Sequence, residues 1–162
     1  MTNDIAQLTD NELAHFLVEA KRSTYATHGD KASVAAVLAG SKQLEHCVGE
    51  LTYRDIYFGM FRFAGQEVVS RNELPIWTMV YAGGSTDAIS DQEAITVFEF
   101  LRQALRLVSP DRPFRGPSTF KSGELHYFDE SEGNVTAFHG TERITRSGTL
   151  VYRLDYAGGL IR

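Results

Sequence analysis

Cysteine is almost absent from this 162-residue chain, which contains only Cys47. A single cysteine excludes an intramolecular disulfide and is typical of a reducing compartment, so we expect a cytoplasmic protein. Long apolar runs are also missing, since none approaches the roughly 18 residues that a membrane span needs. The first residues show neither the basic segment nor the apolar segment of a signal peptide. We therefore expect no membrane partner.

Positive charge is in short supply as well. The chain has 16 Lys and Arg residues against 21 Asp and Glu residues, for a net charge of −5. Binding to a phosphate backbone needs a basic face, so this balance argues against a nucleic-acid partner. The length and the ordinary apolar fraction of 43% indicate one globular domain over residues 1–162.

The common motifs for metals, cofactors and covalent catalysis are missing too. None of the five histidines has a partner at the spacing of H-x-x-x-H or H-E-x-x-H. No nucleophile elbow, phosphate-binding loop or dinucleotide fingerprint is present. We therefore expect no metal and no cofactor, we assign no catalytic residue, and we favour a protein that is not an enzyme.

What the sequence does contain is a repeat of itself. Residues 61–84 align without gaps with residues 136–159, and 8 of the 24 positions are identical, where about one or two matches are expected from composition. The motif G-E-L-x-Y-x-D at 49–55 recurs at 123–129. These matches predict a duplicated unit, with repeat one at about 9–84 and repeat two at about 90–159. Such a duplication implies a pseudo-twofold axis and a cleft near it.

Each predicted repeat begins with a helix. Capping-box patterns at 9–12 and 90–93 precede apolar stripes of helical spacing, and Pro110 follows the second stripe. We predict helices at about 10–22 and from about 91 to 108.

The remainder of each repeat is rich in aromatic and β-branched residues and is divided by turn residues. We predict strands at about 45–52, 54–64, 66–72, 75–82, 119–130, 134–139, 141–147 and 149–157. Gly65 and Gly140 are interpreted as strand ends or bulges. Short connections favour antiparallel pairing. The expected fold is therefore α+β, a tandem duplication of a helix-plus-antiparallel-meander unit, with one curved antiparallel sheet and two helices on one face.

Two acids and four aromatic residues recur at equivalent positions of the two repeats. Alternation along the last strand of each repeat places the aromatic side chains on one face. Carboxylates beside aromatic rings suit a cationic or aromatic ligand. We therefore predict a small-molecule site near the pseudo-twofold axis, lined by Glu67, Glu142, Trp77, Tyr81, Tyr152 and Tyr156.

Three other interpretations of these residues remain open. Each glutamate could form a plain ion pair with the arginine four residues later, Arg71 or Arg146. The paired glutamates could instead perform acid–base chemistry, with a tyrosine or His139 as the partner. In the third interpretation the sheet face or an edge strand is buried in a homodimer, and the chain is an interaction module.

Several short motifs carry a family resemblance. They are A-K-x-x-T-Y-A-x-x-G at 20–29, D-x-Y-x-G at 55–59, F-x-G-x-E at 63–67, P-I-W-x-M-x-Y-x-G at 75–83 and F-R-G-P at 114–117. On these motifs, residues 10–162 resemble a prokaryotic domain family of unknown function, whose members occur alone or C-terminal to a helix-turn-helix domain.

That resemblance implies effector sensing in the fused members, and it supplies no catalytic residue. More loosely, a duplicated α/β unit around a cleft is similar to the effector domains of multidrug-responsive regulators, which hold cationic ligands with an acid and aromatic rings. The residues and the resemblance together predict an effector-sensing-like domain that binds a small molecule.

Overall fold

Two capped helices accompany the sheet in the computed structural model, which describes residues 8–161. They are α1 (Asp10–Ser23) and α3 (Asp91–Leu105). Both predicted capping boxes are present: at α1 the Thr9 hydroxyl accepts from the Glu12 amide, and the Glu12 carboxylate accepts from the Thr9 amide. A short α2 (Tyr25–His28) and a 3-10 turn (Gly29–Ala32) follow α1. The expectations for residues 1–7 lie outside the described residues.

Within residues 8–161 the sheet has nine strands, and every pairing in it is antiparallel. The strands are β1 (Ser33–Val34), β2 (Lys42–Val48), β3 (Leu51–Gly59), β4 (Arg62–Arg71), β5 (Leu74–Ser85), β6 (Thr119–Ser122), β7 (Leu125–Asn134), β8 (Ala137–Arg146) and β9 (Thr149–Leu160). Their order is β1-β2-β3-β4-β5-β9-β8-β7-β6. The predicted α+β fold with an antiparallel meander and two main helices is confirmed.

Apart from the two-residue edge strand β1, the strand order is symmetric about the central pair, β5 and β9. Tyr81 and Tyr156, which the sequence offset of 75 equates, lie directly opposite each other in that pair. The register also shifts at equivalent points, after Val69 in β4 and after Ile144 in β8. Positions that the sequence offset equates therefore meet at the centre of the sheet.

Some predicted boundaries differ from the observed ones. The predicted strand at 119–130 is a hairpin of β6 and β7, because Gly123 adopts a left-handed φ of 57° that turns the chain. The predicted helix end near residue 108 lies at Leu105 instead.

The sequence context of Gly65 and Gly140 predicted strand ends or bulges, and this prediction is wrong. They lie inside β4 and β8, directly opposite Tyr81 and Tyr156. A Cβ atom on Gly65 would lie 2.4 Å from the Tyr81 hydroxyl, and one on Gly140 would lie 2.4 Å from the Tyr156 ring. Each glycine therefore provides the space that the tyrosine on the neighbouring strand occupies.

One face of the sheet and both helices form the hydrophobic core. The predicted alternation is confirmed, since Trp77 is fully buried whereas Val80, on the other face, is 51% exposed. The Trp77 indole stacks on Phe138 and donates a hydrogen bond of 3.0 Å to the Val135 carbonyl. Phe98 of α3 meets the Tyr152 ring edge-on. The aromatic face therefore packs mainly against protein.

Candidate functional site

The two repeated glutamates are buried, and neither pairs with the arginine on its own strand. Arg71 bonds to Glu50 and Arg146 bonds to Glu93, so the predicted Glu–Arg pairs within each strand are wrong. The reason is that the glutamates point into the core, where cations from other elements reach them.

In the N-terminal half, the partner of Glu67 is Lys21. Lys21 lies in the last turn of α1, and its ammonium forms a buried hydrogen-bonded ion pair with Glu67. The Lys21 ammonium also lies 5.8 Å from the centre of the Tyr53 ring. Burial lowers the pKa of Lys21, and the Glu67 carboxylate opposes that shift.

In the C-terminal half, the partner of Glu142 is Arg115, from the proline-rich segment after α3. The guanidinium donates two hydrogen bonds, of 3.1 and 2.9 Å, to the two carboxylate oxygens. Tyr127 and Tyr152 donate two more, of 2.6 and 2.8 Å. Glu142 is fully buried, so this network supplies the polar contacts that burial of a carboxylate requires.

A second acid lies directly across from each glutamate. Asp55 is opposite Glu67 on the paired strands β3 and β4, and Asp129 is opposite Glu142 on β7 and β8. Tyr81 donates a 2.6 Å hydrogen bond to Asp55, and Tyr156 donates one of 2.8 Å to Asp129. The sequence interpretation omitted both aspartates, although the repeated Y-x-D motif already marked them.

The two aspartates titrate far from their ordinary range. Burial and then the negative charge of Glu67 raise the pKa of Asp55 to about 7, against the Tyr81 hydrogen bond and Lys21. Burial and then Glu142 raise the pKa of Asp129 to about 7, against the Tyr156 hydrogen bond. Both acids can therefore exchange a proton near neutral pH.

The N-terminal acid pair borders a large cavity, whose lining includes neither Asp129 nor Glu142. The cavity has a volume of about 590 Å³. Its buried polar lining is Lys21, Thr24, Tyr53, Asp55, Glu67, Tyr81 and Arg115, and its apolar lining includes Tyr57, Phe61, Phe63, Phe98 and Phe114. Residues from α1 to the 3-10 turn and from α3 complete the lining. The volume lies within the range of small-molecule sites.

Two of the six predicted ligand-binding residues, Glu67 and Tyr81, line this cavity. The other four lie outside its lining, namely Glu142, Trp77, Tyr152 and Tyr156. All four are at most 4% exposed and pack in the core. His139, the alternative acid–base partner, is 68% exposed and lies near Glu132. The structure therefore does not bring the two glutamates to one pocket.

The segment after α3 packs against the C-terminal acid pair and its surroundings. Phe114 stacks on Phe138 with ring centres 3.9 Å apart, and Arg115 bonds to Glu142. Lys21 is the main lining residue that sequence reasoning left unassigned. It belongs to the A-K-x-x-T-Y-A-x-x-G motif at 20–29, which the sequence interpretation used only as part of the family resemblance.

Within residues 8–161, no three His, Cys, Asp or Glu side chains are grouped so that they could hold a metal ion. In the same range, no helix combines the length and apolar character needed to cross a membrane.

Comparison with known proteins identifies a family. No functionally curated protein and no solved structure matches the chain. The family described as a domain of unknown function (DUF5680) matches residues 55–161, from Asp55 on β3 to the residue after β9. This match covers most of the sheet, α3 and the segment that carries Arg115. The chain therefore belongs to the DUF5680 family.

Proposed function

We propose that the protein binds a small organic molecule in the cavity of its N-terminal half. The observation that carries this proposal is the asymmetry between two otherwise equivalent acid sites. Both halves bury an Asp–Glu pair beneath a tyrosine. Phe114 and Arg115 pack beside the pair in the C-terminal half, whereas a cavity of about 590 Å³ borders the pair in the N-terminal half.

The lining chemistry supports a ligand with an apolar or aromatic body and polar substituents. Phe61, Phe63 and Phe98 form a connected set of rings, with centres 6.1 to 6.3 Å apart. Asp55 and Lys21 offer polar contacts in the buried part of the same cavity. Apolar walls with a few converging polar groups are typical of small-molecule sites.

Filling the cavity tests this proposal. Ile95 of α3 lines the cavity and is 44% exposed, so Ile95→Trp should add bulk there at little cost in stability. Leu107→Trp is the matched control, because Leu107 is 50% exposed and lies outside the lining. A library of aromatic fragments is screened against the unsubstituted protein by thermal shift and ligand-observed NMR. Hits should bind the control and lose about tenfold or more in affinity to Ile95→Trp.

Trp77 fluorescence is a poor readout for this screen, because the indole is fully buried and lies outside the lining. If no fragment binds, or if hits bind both tryptophan variants equally, the cavity is not a ligand site.

A second candidate function is proton transfer within the same cavity. Asp55 and Glu67 are directly opposite each other, both line the cavity, and the pKa of Asp55 is raised to about 7. A general acid or base works best with a pKa near the working pH. This version of the acid–base alternative uses one half of the molecule and leaves His139 out.

Proton exchange into bound carbonyl compounds distinguishes the two functions. In D2O, the unsubstituted protein should remove the NMR signal of a ligand's α-proton, and Asp55→Asn should not, although it still binds the ligand. If the ligand binds but its α-proton does not exchange, the proton-transfer function is excluded and only the binding function remains.

We also keep, as proposals, the effector-sensing role and the cytoplasmic location that the sequence suggested. The homodimeric module stays a prediction as well, and sedimentation of the full chain measures it directly.

A further inference from the structure

The charged residues around the cavity differ from those of the whole chain. Overall, acidic residues outnumber Lys and Arg by 21 to 16. Among the described residues that line the cavity the balance is reversed, with three acids, Asp55, Glu67 and Glu99, and six cations, Lys21, Lys31, Lys42, Arg102, Arg106 and Arg115. The positive lining is therefore a local property of the cavity.

Two of the six cations already have buried carboxylate partners. Lys21 is paired with Glu67, and Arg115 is paired with Glu142. These pairs neutralise the acid that was expected to attract a cationic ligand. Asp55, with its pKa near 7, is partly neutral at physiological pH. The buried part of the lining therefore offers little net negative charge to a cation.

Arg102 in α3 and Arg106, the C-cap residue of α3, supply positive charge. They lie four residues apart, so they occupy neighbouring positions on one helix face, where like charges repel. Arg106 donates a 2.9 Å hydrogen bond to the Ala26 carbonyl. A carbonyl partner orients the guanidinium but does not neutralise it.

The Arg102 side chain is half-buried, and it lies against the turn at Gly29. A Cβ atom on Gly29 would lie 3.7 Å from the Arg102 Cδ and Nη1 atoms. Among the described residues, no ion pair and no side-chain hydrogen bond reaches its guanidinium, not even from Glu99 three residues earlier. Proximity to the C-terminus of α3 favours a cation there, but it leaves the five donors of the side chain unused.

We infer that the ligand carries an acidic group, a carboxylate or a phosphate, which Arg102 binds at the cavity while the aromatic lining holds an apolar body. This inference rests on the proposed function and names the ligand class for the same cavity. It reverses the cationic ligand expected from the sequence. A planar guanidinium with free donors matches either anion through two parallel hydrogen bonds.

Three matched compounds test the sign of the ligand charge on the full chain. They are 1-naphthaleneacetate, 1-naphthaleneethanol and 1-(aminomethyl)naphthalene, which share a ring system and differ in charge. Calorimetry should give an affinity about tenfold higher for the anion than for the neutral alcohol, and the lowest affinity for the ammonium compound. Addition of salt should reduce the preference for the anion.

Arg102→Gln should remove the preference for the anion, because it should lower the affinity for the acetate about tenfold and the affinity for the alcohol much less. Arg153→Gln is the control for loss of one positive charge, because Arg153 is exposed and pairs with Asp155 on β9. Replacing the acetate by 1-naphthyl phosphate separates the two anions, since tighter binding of the phosphate assigns a phosphorylated ligand and weaker binding a carboxylate.

The outcomes separate this inference from the proposed function. If the alcohol or the ammonium compound binds as tightly as the acetate, or if Arg102→Gln leaves their ratio unchanged, the acidic-ligand inference is overturned and the cavity remains a binding site. If neither these compounds nor the fragment library binds, the proposed function fails, and the inference fails with it.

Discussion

The two halves of the molecule bury the same acid pair and surround it differently. In the C-terminal half, Glu142 receives four hydrogen bonds from Arg115, Tyr127 and Tyr152. In the N-terminal half, Glu67 is paired with Lys21 and borders a cavity. One site is therefore closed by protein groups, and the other has space for a ligand.

The difference arises at one position of the repeated strands and in the segments that supply the two cations. The position of Tyr152, which bonds to Glu142, is occupied by Trp77 in the N-terminal half, and the tryptophan N–H donates to Val135 instead. Arg115 comes from a segment with three prolines, which restrict its backbone. Lys21 comes from a helix and has a single ammonium in place of a planar fork. The same buried Asp–Glu pair can therefore stabilise the fold in one half and contribute to a binding site in the other.

Removing the cation from each half should give the largest effect. Arg115→Met leaves Glu142 charged, fully buried and without its cation, which should lower the free energy of unfolding by about 3–5 kcal/mol. Lys21→Met should cost less, because water in the adjacent cavity can solvate Glu67. Urea denaturation of both variants measures the difference.

Arg153→Met serves as the reference, since this exposed residue should contribute nothing measurable to stability. Equal losses for Arg115→Met and Lys21→Met would show that the two halves are closed to the same degree.

Substituting the strand glycines should give an intermediate effect. Gly140→Ala should cost about 1–3 kcal/mol, because its Cβ would meet both the Tyr156 ring and, at 2.7 Å, the Glu130 carbonyl oxygen. Gly65→Ala should have a similar cost, since its Cβ would lie 2.4 Å from the Tyr81 hydroxyl and 2.6 Å from the Tyr57 Cβ, which is fixed to the backbone. Thermal unfolding measures both variants, and an unchanged melting temperature for either would contradict the close packing of glycine against tyrosine in that half.

The last prediction concerns the slope of the free energy of unfolding against pH. This slope should be shallow, and each half should contribute a similar amount to it. Folding raises the pKa of Asp55 and of Asp129 to about 7, from about 4 in an unfolded chain. Between these values the native chain holds protons that the unfolded chain has released. The free energy of unfolding should therefore fall as pH rises from about 4 to 7, by at most about 1.4 kcal/mol per pH unit for each proton.

Asp55→Asn and Asp129→Asn should each remove the contribution of one aspartate to the slope of the free energy of unfolding against pH. Urea denaturation from pH 4.5 to 7.5, with each variant compared to the unsubstituted protein, isolates the share of each acid. A slope that neither substitution changes would show that the two aspartates are ionised in the folded chain.

The sequence predicts the fold well because its signals are local. The capping boxes at Thr9 and Ser90, the alternation around Trp77 and the turn residues all act over a few positions. Gly65 was misread because its role depends on a tyrosine in the neighbouring strand, and sequence spacing alone does not show what packs across a pair of strands.

The candidate site was predicted only in part, since its contacts join distant positions. Glu67 was identified, but Lys21 lies 46 residues away from it, and Arg115 lies 27 residues from Glu142. Because acids and aromatic residues recur at equivalent positions of the two repeats, the sequence predicted one shared site near their axis. Which half retains a cavity depends on how Phe114 packs on Phe138, and Phe114 belongs to a segment that has no counterpart in the other half.

Arg115 belongs to both halves at once. Its guanidinium lies 5.9 Å from the centre of the Tyr81 ring and lines the N-terminal cavity, while its hydrogen bonds fix Glu142 in the C-terminal half. A ligand that contacts Arg115 is therefore thermodynamically linked to the packing of β8. Occupancy of the cavity should slow hydrogen exchange of the backbone amides around Glu142, so that one half of the sheet reports what the other half has bound.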